Sequence, residues 1–146
     1  MLEAMLLLLL ARALVRLVPM RHWRASLGPI VPPAAAELTF KLKQDPRELG
    51  ACAAAVHPVR AAHRRALVHL PGHFKCLPQA MALQWMLRRR KVPSVLTIAA
   101  LPAHLRASPD DLHAWVEAAG VIQIGQSDLP YRPLLQLGST TVQVQQ

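Results

Sequence analysis

Apolar positions in the first stretch of the chain recur at helical spacing, with Leu2, Met5, Leu6, Leu9, Ala13 and Leu17 on one side of a 3.6-residue turn. The pattern predicts a helix that ends before Pro19, since the residue before a proline is biased away from helical backbone. Its unbroken apolar run, Ala4 to Ala11, is far short of the roughly 20 residues that span a bilayer. Glu3 precedes that run, and Arg12 and Arg16 interrupt the residues beyond it, which argues against a signal peptide. The helix is read as packing on the domain or on a partner protein. A helix lying on a membrane surface beside Arg12, Arg16, Arg21 and Arg24 is the alternative. Gly28-Pro29 marks a break, and Pro29 to Ala36 reads as a linker.

Further along, Asp45-Pro46 caps an alanine-rich helical stretch from Arg47 to Val68, which Pro58 is expected to bend or divide. Leu70-Pro71-Gly72 makes a turn. Cys76 to Arg90 is the clearest helix, with an apolar stripe through Leu77, Met81, Trp85 and Leu83-Leu87. Pro78 is tolerated in its first turn, and Arg88 to Lys91 closes it with cations that the helix dipole favours. Val95 to Ala100 predicts a short strand buried on both faces. A polar loop, Pro102 to Asp111, leads to a strand over Leu112–Glu117, a turn at Ala119-Gly120 and an antiparallel return over Val121–Ile124. The tail from Tyr131 to Gln146 is polar and weakly patterned, and its pattern supports no more than a last strand.

At 146 residues, with 53% hydrophobic and 17% charged positions, the chain suits one folded domain and not a disordered segment. Two cysteines, Cys52 and Cys76, make no disulfide framework and are read as reduced thiols of a cytoplasmic protein. The net charge of +9 suits an acidic partner: an anionic peptide, a nucleic acid or a membrane surface. With only 4% aromatic residues, base-stacking platforms are disfavoured and no nucleic-acid partner is expected.

The chemistry concentrates in Phe74-Lys75-Cys76-Leu77-Pro78-Gln79-Ala80 and Leu112-His113-Ala114-Trp115-Val116-Glu117. At a helix start, unpaired N–H groups and the macrodipole favour a thiolate. An imidazole on a following strand then serves as general base and later as general acid. Cys76 is therefore the candidate nucleophile and His113 the candidate base, while Cys52, among small residues, reads as core. His22, His57, His63, His69, His73 and His104 show no metal-ligand pattern, since Pro71-Gly72 spoils the His69/His73 spacing, and neither metal nor cofactor is expected.

Helix-start cysteine, short strand, then His-Ala-Trp-Val-Glu and a glycine turn resemble the transglutaminase-like cysteine protease superfamily. More narrowly, the chain is similar to the B-type leader peptidases of lasso-peptide biosynthesis. Cys76-Leu77-Pro78, the helix to Leu87, Arg88 to Lys91, Val95 to Ala99 and His113 to Glu117 carry the likeness, with Pro19 to Arg24 resembling that family's opening. The resemblance implies an α+β, papain/transglutaminase-like fold, the catalytic helix packed on a small antiparallel sheet. Residues 1–28 would form an amphipathic helix and basic junction, and 29–146 the peptidase domain. It implies a cysteine peptidase that removes the leader from a ribosomally made precursor through a thioester. Its partners would be the precursor's leader peptide, a leader-recognition protein and an ATP-dependent cyclase. A fused recognition domain is not expected at this length, so the chain resembles the stand-alone form. Acyl transfer of the transglutaminase type is the alternative within enzymes, and a non-enzymatic basic module binding an acidic partner or membrane surface is the alternative outside them.

The resemblance also implies an acidic residue after the histidine to orient its ring. Twelve positions beyond His113 stands Gly125, whose missing side chain cannot serve. Asp128 is the nearest carboxylate and the favoured third residue, with Gln123 or Gln126 next and a site without a third member also open.

Overall fold

Small residues decide which side of the first helix goes inward. In the computed structural model, which describes residues 1–32, 46–108 and 111–139, α1 (Leu2–Leu17) buries Ala4, Leu8 and Ala11. The leucine side of the helix is largely exposed: Leu2, Leu6, Leu9 and Leu17 stand at 71%, 59%, 47% and 80% accessibility. The helix is apolar on both sides, so spacing alone does not choose between them. Alanines at two of the buried positions let its backbone approach its neighbours closely, a packing advantage that the leucine-rich side lacks. The helix ends at Leu17, and Val18 is already extended, as Pro19 requires.

A short turn of helix, α2 (Met20–Trp23), runs into a 3₁₀ turn over Arg24–Leu27. This basic junction is tied to the rest of the protein. Trp23 Nε1 donates to the Val18 carbonyl at 3.0 Å, Trp85 Nε1 to Ser26 Oγ at 2.9 Å and Arg88 to the Ser26 carbonyl at 2.9 Å. Of the linker, Ile30 bridges to Leu137 and Val31 is buried. The expected Asp45 cap lies outside the described residues.

Helix α3 (Pro46–His69) runs unbroken through Pro58, against the expectation of a division. Pro58 is exposed, so the carbonyl it leaves without a donor can turn to solvent. Helix α4 (Cys76–Arg89) is the centre of the molecule and is buried on most sides, from Pro78 and Ala80 to Met86 and Leu87. Gln84, fully buried in its middle, points its Nε2 at the carbonyls of Leu27, Ser94 and Leu137 at 3.2, 3.3 and 3.3 Å. One amide thus braces the junction, β1 and β4 together.

Four antiparallel strands, β1 (Ser94–Ala100), β2 (Leu112–Ala118), β3 (Val121–Ile124) and β4 (Arg132–Ser139), pair in the order β3-β2-β1-β4. Leu96, Ile98, Ala114, Val116, Ala118 and Leu137 join Ala4, Leu8, Met81, Leu83 and Leu87 in one hydrophobic core. Residues on both sides of position 28 enter it. The weakly patterned tail supplies β4, which pairs with β1 along an irregular register, shifted between Ile98 and Ala99 opposite Pro133. Edge position and bulge are where a strand tolerates proline. Gly138 permits the close pairing, because a Cβ there would collide with the Ser94 carbonyl oxygen. The fold is α+β, as expected. Among the described residues no helix is long and apolar enough to cross a membrane.

Candidate active site

Cys76 is the first residue of α4. The chain reaches it through the Pro71-Gly72 turn and an extended Lys75, φ −65° and ψ 163°. Two hydrogen bonds secure the helix start. Gln79 Nε2 donates to the Phe74 carbonyl at 2.6 Å, and His63 Nε2 meets the Gln79 carbonyl at 3.0 Å. A carbonyl only accepts, so Nε2 of His63 carries a proton. Burial pushes the His63 pKa down to about 4, only partly countered by the hydrogen bond to Gln79, and the ring is neutral at pH 7. In the first turn Pro78 has no N–H to offer. The N–H groups of Cys76 and Leu77 remain, and neither donates to a described group.

The half-buried Cys76 thiol lies against the start of β2, its Sγ 3.7 Å from the Leu112 carbonyl oxygen. His113 is the next residue, paired across the sheet with Ala99 of β1. The imidazole stacks on Tyr131, centroids 4.7 Å apart at 26°, with the Trp115 ring 6.1 Å away. Its Nε2 stands 2.6 Å from the Gly125 carbonyl oxygen. The thiol thus sits one residue from the histidine along the strand, with its own hydrogen bond directed to backbone. The structure sets α4's first residue against β2's first, the chain neighbour of His113, across parts of the chain that the sequence separates by a helix, a strand and a loop.

A model of the transglutaminase-like superfamily matches residues 10–136. The chain belongs to the transglutaminase-like superfamily. No curated protein and no solved structure matches it. The matched span runs from the middle of α1 into β4 and holds both Cys76 and His113. This superfamily includes cysteine peptidases and acyl transferases, and its members usually depend on a cysteine.

The residues offered for the third place are scattered. Asp128 is exposed in the loop between β3 and β4, and its carboxylate makes no hydrogen bond or ion pair with a described residue. Gln126 is exposed as well. Gln123 is buried, but its Nε2 donates to the Ala118 carbonyl at 2.8 Å and closes the β2–β3 turn. The group that does meet the imidazole belongs to Gly125, set aside for want of a side chain. Its backbone oxygen makes the contact, which a search for side-chain acids and amides does not find. Tyr131 was also missed, since nothing in a polar tail marks a residue for stacking on a distant ring. Cys52 is half-buried on α3 and joins the edge of the core. Of the basic run, Arg90 forms a two-pronged ion pair with Glu3 of α1, at 2.7 and 3.2 Å, and Arg88 holds the junction.

Proposed function

We propose that the protein is a cysteine-dependent acyl-group enzyme, with Cys76 as nucleophile and His113 as base. Within that chemistry it acts as a peptidase that removes the leader from a lasso-peptide precursor. The observation that carries the proposal is the placement of a helix-start thiol against β2 beside His113, within a superfamily match that spans both. The Cys76-Leu77-Pro78 and His113-to-Glu117 runs support the narrower reading by their resemblance to leader peptidases.

In the proposed reaction, His113 takes the Sγ proton and the sulfur attacks the scissile carbonyl carbon, forming a C–S bond. The carbonyl oxygen takes up the negative charge near the free N–H groups of Cys76 and Leu77, which favour it as helix-end donors do. The C–N bond then breaks, and the proton on His113 goes to the departing amine. Water attacks the thioester with His113 again as base. The acid is released and the thiol restored. Capture of the same thioester by an amine would make the reaction a transfer.

The test uses iodoacetamide and a precursor peptide bearing its leader. Cys76 is expected to alkylate faster than Cys52, and Cys76→Ala and His113→Ala are each expected to abolish leader removal, because members of one nucleophile–base unit fail alike. Cys52→Ala is expected to leave it intact. Full cleavage by Cys76→Ala would end the proposal. A thioester that forms but yields only amine-captured product would assign the transferase reading instead.

A further inference from the structure

The contact between His113 and Gly125 determines more than position. We infer that the Gly125 main-chain carbonyl is the orienting group of the site, fixing His113 as the Nε2–H tautomer with Nδ1 as the proton-accepting nitrogen. The inference rests on the proposed Cys76–His113 reading and names the third member that side chains leave unfilled.

The chemistry of the pair is one-sided. A carbonyl oxygen has lone pairs and no proton, so at 2.6 Å it requires a hydrogen on Nε2. In a neutral imidazole the lone pair then resides on Nδ1. Nδ1 is the ring nitrogen nearest its own backbone, and the strand backbone is where the Cys76 sulfur sits, 3.7 Å from the Leu112 oxygen. The ring is held from a second direction by its stack on Tyr131.

Local backbone makes this role available to Gly125. Its φ is +83°, a conformation that L side chains rarely adopt. A Cβ at this position would run into the Ala114 carbonyl oxygen and stand 2.9 Å from the Trp115 Cα. Only a residue without a side chain lets this segment lie so close to β2, and that closeness delivers its oxygen to the ring. A side-chain carboxylate at position 125 and the observed backbone path exclude one another.

The first test is the tautomer, read by long-range ¹H–¹⁵N correlation of the full-length Cys76→Ala protein, at a pH where His113 is neutral. The expected spectrum shows Nε2 protonated, its proton slow to exchange, and Nδ1 unprotonated. A ring protonated on Nδ1, or one averaging between forms, would overturn the inference. It would do so without touching the proposed reaction, which fails separately if Cys76 proves dispensable.

The second test is Gly125→Asp in a Cys52→Ala background, read by iodoacetamide alkylation of Cys76. The carboxylate arrives where a side-chain orienter would be useful, yet the clash moves the carbonyl away. Alkylation is expected to slow by about tenfold or more, because a ring in the wrong tautomer offers no lone pair to the thiol. An unchanged or faster reaction would overturn the inference. Should the variant fail to fold, the tautomer measurement still decides.

Discussion

At the scale of single residues, the buried His63 shows how a group away from the reaction can set the conditions in which the site survives. It holds the Gln79 carbonyl in the first turn of α4, the helix that carries Cys76. Its folded pKa of about 4 lies below the ordinary histidine value of 6.5. Between those values the unfolded chain binds a proton that the folded protein does not, so stability rises with pH across this window and falls as pH drops through it. The full difference would amount to about 3 kcal/mol. Urea midpoints measured from pH 7 to pH 4 are expected to decline accordingly, and His63→Gln, which keeps a donor for the carbonyl, is expected to flatten the decline. A slope unchanged in that variant would place the acid sensitivity elsewhere.

Among elements, α4 connects stability to function, because the helix that presents Cys76 also braces three other segments through Gln84. Gln84→Leu keeps the volume but leaves the Leu27, Ser94 and Leu137 carbonyls without this donor. Unfolding measurements are expected to show a loss of about 1–3 kcal/mol, typical of stranded buried polar groups. By contrast, the Glu3–Arg90 pair joins an exposed arginine just past the end of α4 to a partly exposed carboxylate at the start of α1, and Arg90 lowers the Glu3 pKa chiefly through their hydrogen bond. Glu3→Gln is expected to cost less than about 1 kcal/mol, and less still in high salt. If Glu3→Gln proved the more damaging of the two, the bracing assigned to Gln84 would be wrong.

Over the whole molecule, the side of α1 that carries Leu2, Leu6, Leu9 and Leu17 is available to something outside the fold. A leader-recognition protein is the partner that the resemblance to leader peptidases suggests. Presenting the leader on such a partner would turn a weak encounter at Cys76 into a nearly intramolecular one. Removing α1 is a poor test, because Ala4, Leu8 and Ala11 belong to the core. Leu6→Gln with Leu17→Gln alters only exposed positions. Cleavage stimulated by the recognition protein is expected to fall in that double variant while unassisted cleavage and thermal stability stay unchanged. Equal stimulation of both proteins would remove α1 from the docking surface.

The sequence by itself determined α1, α4 and β1 to β3 and their order, since hydrophobic spacing, Pro19, Gly120 and the turn at Pro71-Gly72 act locally and need no partner to be read. It also marked Cys76 and His113, whose residue types and settings on a helix start and a strand are local facts. Tertiary structure decided what depends on competition between surfaces. It turned Ala4, Leu8 and Ala11 inward in preference to the leucine stripe, and it drew a weakly patterned tail into the sheet as β4, where Gly138 permits close pairing. It also brought the Gly125 carbonyl to His113. Every residue but proline carries the same backbone donor and acceptor, so no sequence pattern distinguishes the one oxygen that the fold aims at the His113 ring.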